Sequence, residues 1–249
     1  MDNDALHHRL IDGDPQRPWL VFLHEGLGCT AMWSDFAERL CALSGCRGLL
    51  YDRRGHGRSP ATDVPRTLHY LHAAALQELP DVLARLIAGQ PYLLIGHSDG
   101  GSIALLHAAE RPPLLRAAIT VAAHVFVEPM TLDGIRRAVE AWQLGKLQGL
   151  ARYHGERSTA LFEAWSQTWL SPWFRHWNIE YLLPAIRCPL LVLQGCDDQY
   201  GSAAQVERIV EQVGGRSEAV FIEDCGHVPH REALPQTLTL MSRFIAAQT

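Results

Sequence analysis

The chain has six cysteines but no C-x-x-C pair, which removes the commonest redox and zinc-binding patterns. Cys29, Cys41, Cys46, Cys188, Cys196 and Cys225 therefore read as reduced, mostly buried residues acting as small apolar side chains. His69-x-x-His72 and His227-x-x-His230 have the spacing of paired metal ligands, but neither is joined by a second cluster. No metal site is expected. There is no block of lysine and arginine, and the formal charge is −5, which argues against nucleic acid as a partner. No apolar stretch is long enough to span a membrane, and the acidic start Met1-Asp2-Asn3-Asp4 has no apolar run behind it. The expectation is a cytoplasmic protein that does not act at a membrane. Internal repeats and low-complexity tracts are also missing. What remains is ordinary for a globular protein: 249 residues, 47% apolar and 20% charged. That length supports one large core, as one domain or as one domain with an insertion.

Apolar runs recur along the chain, each followed by a helical pattern. Strands are predicted near 19–23, 48–51, 92–95, 117–121, 189–193 and 219–222. Helices are predicted near 32–42, 68–87, 103–109, 203–213 and 234–246. Such alternation means parallel strands joined by helical crossovers. The predicted fold class is α/β, a mostly parallel twisted sheet with helices on both faces. The stretch around His8 to Gly13 is expected to add an antiparallel edge hairpin.

The alternation stops between about Val125 and Pro184, where no strand pattern is visible. Five of the seven tryptophans fall there: Trp142, Trp165, Trp169, Trp173 and Trp177. This reads as a helical cap over residues 125–184, inserted into a core formed by residues 1–124 and 185–249. Ligands of open α/β sheets bind at the carboxyl ends of the strands, where such an insertion would sit. Most of these tryptophans should fill the insertion's own core. Trp165 and Trp169 are the candidates to face a substrate, together with His124, just past a strand end.

One junction carries most of the chemistry. Pro91-Tyr92-Leu93-Leu94-Ile95 runs directly into Gly96-His97-Ser98-Asp99-Gly100, and an Ala/Leu-rich segment follows. Strand, sharp turn and helix around G-x-S-x-G is the context of a nucleophile elbow, with Ser98 Oγ raised at the end of the sheet. Glycines suit a turn in which chain segments pass without room for a Cβ. Centring the motif on Asp99 would put His97 where the first glycine belongs, so Ser98 is the expected nucleophile. Asp99 would then offer its backbone N–H to an oxyanion. His97 reads as a packed neighbour, and His230 as structural or at the rim.

A serine needs a base, and the base needs an orienting acid. Gln194-Gly195-Cys196-Asp197-Asp198 follows one predicted strand, and Glu223-Asp224-Cys225-Gly226-His227 follows the next. Serine, aspartate, histidine, each just beyond a strand, is a far more specific pattern than any one motif. His227 is the expected base, and either Asp198 or Asp197 the acid.

With these residues in place the chain resembles the α/β-hydrolase superfamily over nearly its whole length, and within it capped bacterial esterases with a G-H-S-D-G elbow. The resemblance puts the family's G-x-x-D loop on Gly195-Cys196-Asp197-Asp198 and so implies Asp198 as the acid. The family's D-x-R-G-x-G-x-S turn falls on Asp52-Arg53-Arg54-Gly55-His56-Gly57-Arg58-Ser59, implying a structural turn beneath the site. Its H-G-x loop falls on His24-Glu25-Gly26, implying Gly26 as the second oxyanion donor, with Leu27 the alternative. Glu25 departs from the family's glycine. A carboxylate about 4 Å from a forming oxyanion would cost roughly 4 kcal/mol at an effective dielectric of 20, so Glu25 is expected to turn away and pair with a cationic group or backbone donors, with Arg53 or Arg54 as the candidate partners.

The implied activity is hydrolysis of a small or medium apolar carboxylic ester through an acyl-serine, with no cofactor and no metal. The expected partner is a small ester-like molecule, and a homo-oligomer is compatible. A thioesterase, a C–C bond hydrolase of ring-cleavage products and a perhydrolase use the same three residues. A ligand receptor on the same scaffold is the reading from outside enzymology.

Overall fold

Trp19–Leu23 (β2) is buried at all five positions, as only a strand covered on both faces can be. The computed structural model, which describes residues 5–62 and 64–249, places it inside a seven-stranded sheet. The acidic start, residues 1–4, lies outside the described residues. The other strands are β1 (His8–Ile11), β3 (Arg47–Tyr51), β4 (Tyr92–His97), β5 (Leu115–Val121), β6 (Leu190–Gly195) and β7 (Ser217–Ile222). Their order is β1-β3-β2-β4-β5-β6-β7, and every pair is parallel except β1 with β3. The amino-terminal strand is thus an antiparallel edge, as expected, but it is not half of a hairpin. Its partner is β3, because β2 already has parallel neighbours on both sides.

Side chains alternate across the sheet and divide the core into two halves. Leu20, Phe22, Leu93, Ile95, Leu191 and Leu193 face one side. Val21, Leu49, Leu94, Ala118, Leu190 and Val192 face the other. The helices are α1 (Phe36–Ser44), α2 (Tyr70–Ala73), α3 (Leu79–Leu86), α4 (Asp99–Ala109), α5 (Pro129–Gln143) and α6 (Ala151–His154). After them come α7 (Ser158–Leu170), α8 (Ala203–Gln212), α9 (Pro229–Glu232) and α10 (Leu234–Ala246). Phe36 and Leu40 of α1 and Leu238, Met241 and Ile245 of α10 cover the first face. Residues of α3, α4, α8 and the insertion cover the second.

The helix predicted at 68–87 is interrupted. A π-helical turn, Ala74–Glu78, separates α2 from α3. Pro80 explains it: a proline in a regular helix lacks the N–H and clashes with the carbonyl four residues back. The helix predicted at 32–42 also splits, into a 3₁₀ turn at Thr30–Trp33 and α1, with Ser34 at φ 54° between them.

Between β5 and β6 lie α5, α6 and α7, with a single isolated bridge, Phe126 to Asn178, as the β-structure among the described residues. Trp142 stacks on Phe162 at 4.4 Å and 8°. Trp177 stacks on Phe174, while Trp173 is 48% exposed. His154 and Arg157 are among the residues that tie this segment to the core. His154 Nδ1 accepts from Gly57 N–H at 2.9 Å, and its Nε2–H donates to Leu27 O at 2.8 Å. Arg157 donates to the carbonyls of Ser59 and Gly57 at 2.7 and 2.6 Å.

Candidate active site

Ser98 follows the last residue of β4 and precedes α4. Its φ of 53° and ψ of −118° are strained values that cost about 1–3 kcal/mol unless the surroundings enforce them. They do. Ser98 N–H donates to Val121 O at 2.8 Å, and Ser98 O accepts from Gly101 and Ser102 N–H. A Cβ on Gly96 would strike the Gly100 carbonyl, and one on Gly100 would strike the Leu23 carbonyl. The two glycines let three backbone segments cross, and the crossing holds Ser98 in place.

Two more strand ends reach Ser98. His227 Nε2 lies 3.0 Å from Ser98 Oγ, and its Nδ1 lies 2.9 Å from each carboxylate oxygen of Asp198. An ionised carboxylate only accepts, so Nδ1 carries a proton and Nε2 turns its lone pair to the serine hydroxyl. Asp198 Oδ1 also accepts from Tyr200 N–H at 2.8 Å and Gly201 N–H at 3.3 Å. Burial pushes the Asp198 carboxyl up, but His227 and the Tyr200 N–H outweigh it and hold it below the ordinary range. Asp197 is exposed and stands outside this chain of bonds. The loops touch because Gly195 has no side chain; a Cβ there would meet the carbonyls of Cys225 and Gly226. Glu232 braces the turn, accepting from Gly226 N–H at 2.7 Å and Val228 N–H at 2.9 Å on either side of His227.

Ser98, Asp99, Gly26 and His227 share one cavity of about 300 Å³. His124, Trp165 and Trp169, the expected substrate-facing residues, line it too. His124 is buried, with Nε2 at 3.0 Å from Tyr200 O, and burial lowers its pKa. Asp99 opens α4, where helix N–H groups lack intrahelical acceptors. Gly26 lies against the Trp165 indole so closely that a Cβ would collide with it. A wider cavity, about 910 Å³, lies by Arg53, Arg66 and Tyr70 but does not include Ser98, Asp198 or His227.

The placement of Glu25 corrects one expectation. Arg53 does reach Glu25, but at its main-chain carbonyl, with Nη2 donating at 2.8 Å. Arg54 N–H donates to Glu78 instead. The Glu25 carboxylate faces His97 Nδ1 at 3.8 Å. Arg53 is engaged elsewhere because its Nη1 lies 3.7 Å from the buried Asp99 carboxylate. Its main-chain N–H also donates to His24 Nε2 at 3.0 Å. One guanidinium thus holds both segments that bear Gly26 and Asp99. Tyr70 OH donates to Asp99 Oδ2 at 3.0 Å and accepts from Trp169 Nε1–H at 3.0 Å, which ties the insertion to the elbow. Sequence reasoning missed this network. Arg53 stood at the variable position of a recognised turn, but nothing near Tyr70 marked it.

A sequence model described as the Alpha/beta hydrolase family matches residues 20–237. The chain belongs to the alpha/beta hydrolase family. This is a family of enzymes, and the seven-stranded, mostly parallel sheet observed here is consistent with its fold. Among curated relatives, this hydrolase-family chain is 34% identical over 116 residues to the sn-1-specific diacylglycerol lipase ABHD11 of Mus musculus. That match covers 47% of this chain and 36% of the relative. It is 30% identical over 165 residues to the 2-succinyl-6-hydroxy-2,4-cyclohexadiene-1-carboxylate synthase of Escherichia fergusonii, covering 65% of this chain and 58% of the relative. Each match thus spans less than two thirds of the relative's length. Among solved structures, a thermophilic esterase from Thermogutta terrifontis has a TM-score of 0.74 at 20% identity, covering 98% of this chain and 94% of that one. The monoacylglycerol lipase of Paleococcus ferrophilus has a TM-score of 0.71 at 16% identity, covering 98% and 100%. These two share the fold.

Proposed function

We propose that this alpha/beta hydrolase cleaves a small or medium apolar carboxylic ester through an acyl-serine intermediate. The observation that carries the reading is the bonded series Ser98–His227–Asp198, opening into a cavity of about 300 Å³ with Trp165 and Trp169 in its wall. Ser98 Oγ attacks the ester carbonyl as His227 Nε2 takes its proton. The N–H groups of Gly26 and Asp99 receive the oxyanion of the tetrahedral intermediate. His227 then gives its proton to the departing alcohol and activates water against the acyl-serine. Asp198 keeps the imidazole in the required tautomer and offsets its charge. No metal or cofactor takes part in this scheme.

Residues 125–184 act as the cap in this reading, over a core of 1–124 and 185–249. The similarity to a curated diacylglycerol lipase is compatible with an ester, while the similarity to a curated synthase extends over more of the chain and does not single out an ester. The six unbridged cysteines fit a reducing compartment such as the cytoplasm. The test is covalent labelling. A fluorophosphonate should modify Ser98 alone, and Ser98→Ala should abolish turnover of p-nitrophenyl esters while leaving thermal unfolding unchanged. A label on another serine, or turnover in the alanine variant, would refute the mechanism.

A further inference from the structure

Among the ionisable residues of the cavity that the ester-cleaving mechanism leaves unused are His97 and Glu25. His97 ends β4 beside Ser98 and is only 2% exposed. Its Nε2 lies 2.8 Å from the main-chain carbonyl of His227. A carbonyl only accepts, so Nε2 carries a proton. Its Nδ1 is buried without a hydrogen-bond partner and lies 3.8 Å from Glu25 Oε2. A bare Nδ1 would turn a buried, unpartnered lone pair toward a carboxylate. A proton on Nδ1 instead turns a positive charge toward it, as an ion pair at 3.8 Å.

We propose that His97 and Glu25 hold a second proton beside the reactive serine, as an imidazolium–carboxylate pair that fixes the His227 main chain. The proposal rests on the reading of His227 as the base, for which both are positioning residues. Asp198 secures the His227 ring at Nδ1, and His97 Nε2–H secures the carbonyl of the same residue. Ring and backbone of His227 are then each held by a bond of their own, which leaves Nε2 aimed at Ser98 Oγ.

The surroundings favour this assignment. The loop after β2 is shaped to place the carboxylate: Gly28 N–H donates to Glu25 O at 3.1 Å, and a Cβ on Gly28 would collide with the Glu25 carboxylate. Burial pushes the Glu25 carboxyl up, but His97 outweighs it and brings it to about 2. The other ionisable groups facing the pair are His24 and Cys29 on the same loop, His154 on α6, and His227, His230 and Arg231 after β7. Burial lowers the pKa of His24 to about 3, and it lowers those of His154 and His230 as well. Asp198 is committed to His227. Glu25 is thus the anion that faces His97. The pair also accounts for the departure from glycine at position 25, because a neighbouring imidazolium offsets the charge that would otherwise oppose an oxyanion.

The deciding measurement is nitrogen NMR of the full chain labelled with ¹⁵N-histidine, followed between pH 6 and 8.5, with His97 assigned by its loss in His97→Gln. Both His97 ring nitrogens should give protonated-type shifts at pH 7. In Glu25→Gln, Nδ1 should move to the unprotonated type. An unprotonated Nδ1 throughout that range in the wild type would overturn the proposal, with no variant needed. In Glu25→Gln the imidazolium beside His227 is gone, at a ring separation of 5.2 Å in the wild type. The acid limb of kcat/KM should move to higher pH, by on the order of half a unit. A merely structural glutamate would lower the rate without moving that limb, and an unmoved limb would count against the pair. Fluorophosphonate labelling of Ser98 is independent of the His97 shifts, so a failure of the hydrolase reading and a failure of this proposal are distinguishable.

Discussion

Asp198→Asn gives the sharpest test of the bonded series, because the structure dictates which way the amide must turn. Asp198 Oδ1 accepts from Tyr200 N–H at 2.8 Å and from Gly201 N–H at 3.3 Å. An asparagine NH₂ in that position would meet two donors, so the amide oxygen takes it. The NH₂ then falls at the Oδ2 position, 2.9 Å from His227 Nδ1. The amide oxygen is also 2.9 Å from Nδ1 but already accepts two main-chain N–H bonds, so the NH₂ turns Nδ1 into the acceptor, which moves the ring proton to Nε2. Nε2–H then points at Ser98 Oγ, and the base is lost. The same swap in a serine-protease triad costs about 10⁴-fold in kcat, or about 5.4 kcal/mol at 1.36 kcal/mol per decade. The assay is kcat/KM on a p-nitrophenyl ester, with thermal unfolding as the control for fold. Asp197→Asn, at an exposed neighbour, should change activity by no more than about twofold. A loss under about tenfold in Asp198→Asn, or a larger loss in Asp197→Asn, would refute the reasoning.

Arg53→Lys should lower kcat by about 10²-fold with little change in KM, since an ammonium cannot bond both the Glu25 carbonyl and the Asp99 carboxylate; an unchanged kcat would mean the clasp does not position the oxyanion donors. Acid should destabilise the fold well above the carboxylate range. His24 is 1% exposed and held neutral, with its pKa lowered from 6.5 to about 3. Its contribution is complete above pH 6.5 and is lost as pH falls from there toward 3. At pH 5 the loss is about 2 kcal/mol from His24 alone. His56, His124, His154 and His230 add in the same direction. Urea titrations at pH 7.5 and 5 measure the difference, and equal midpoints would contradict it. Gly100→Ala should cost at least about 1–3 kcal/mol by driving a Cβ into the Leu23 carbonyl, whereas Gly149→Ala, with open space around it, should be nearly neutral in the same melts.

The elbow, the chain order of Ser98, Asp198 and His227, and the parallel sheet were legible in the sequence because each is encoded locally. Apolar runs of strand length alternate with helical patterns, and glycines stand where chain segments must cross. The insertion was legible as a break in that alternation. Long-range pairing was not. The edge strand at His8–Ile11 could be recognised, but its partner β3 follows from which strand has a free side. Trp142 and Trp165 look alike as residues of one aromatic-rich segment, yet one stacks on Phe162 and the other lines the Ser98 cavity.

The sequence by itself determined which residues could do the chemistry and the order in which strand ends present them. Only the tertiary structure decided that Arg53 serves Asp99 and the Glu25 carbonyl, that the Glu25 carboxylate faces His97, and that Tyr70 joins Trp169 to the elbow. The physical reason is range. Backbone geometry and hydrophobic period act within a few residues and leave a regular trace. A buried charge chooses its partner from whatever groups the completed packing brings within a few ångströms, and those come from loops dozens of residues apart.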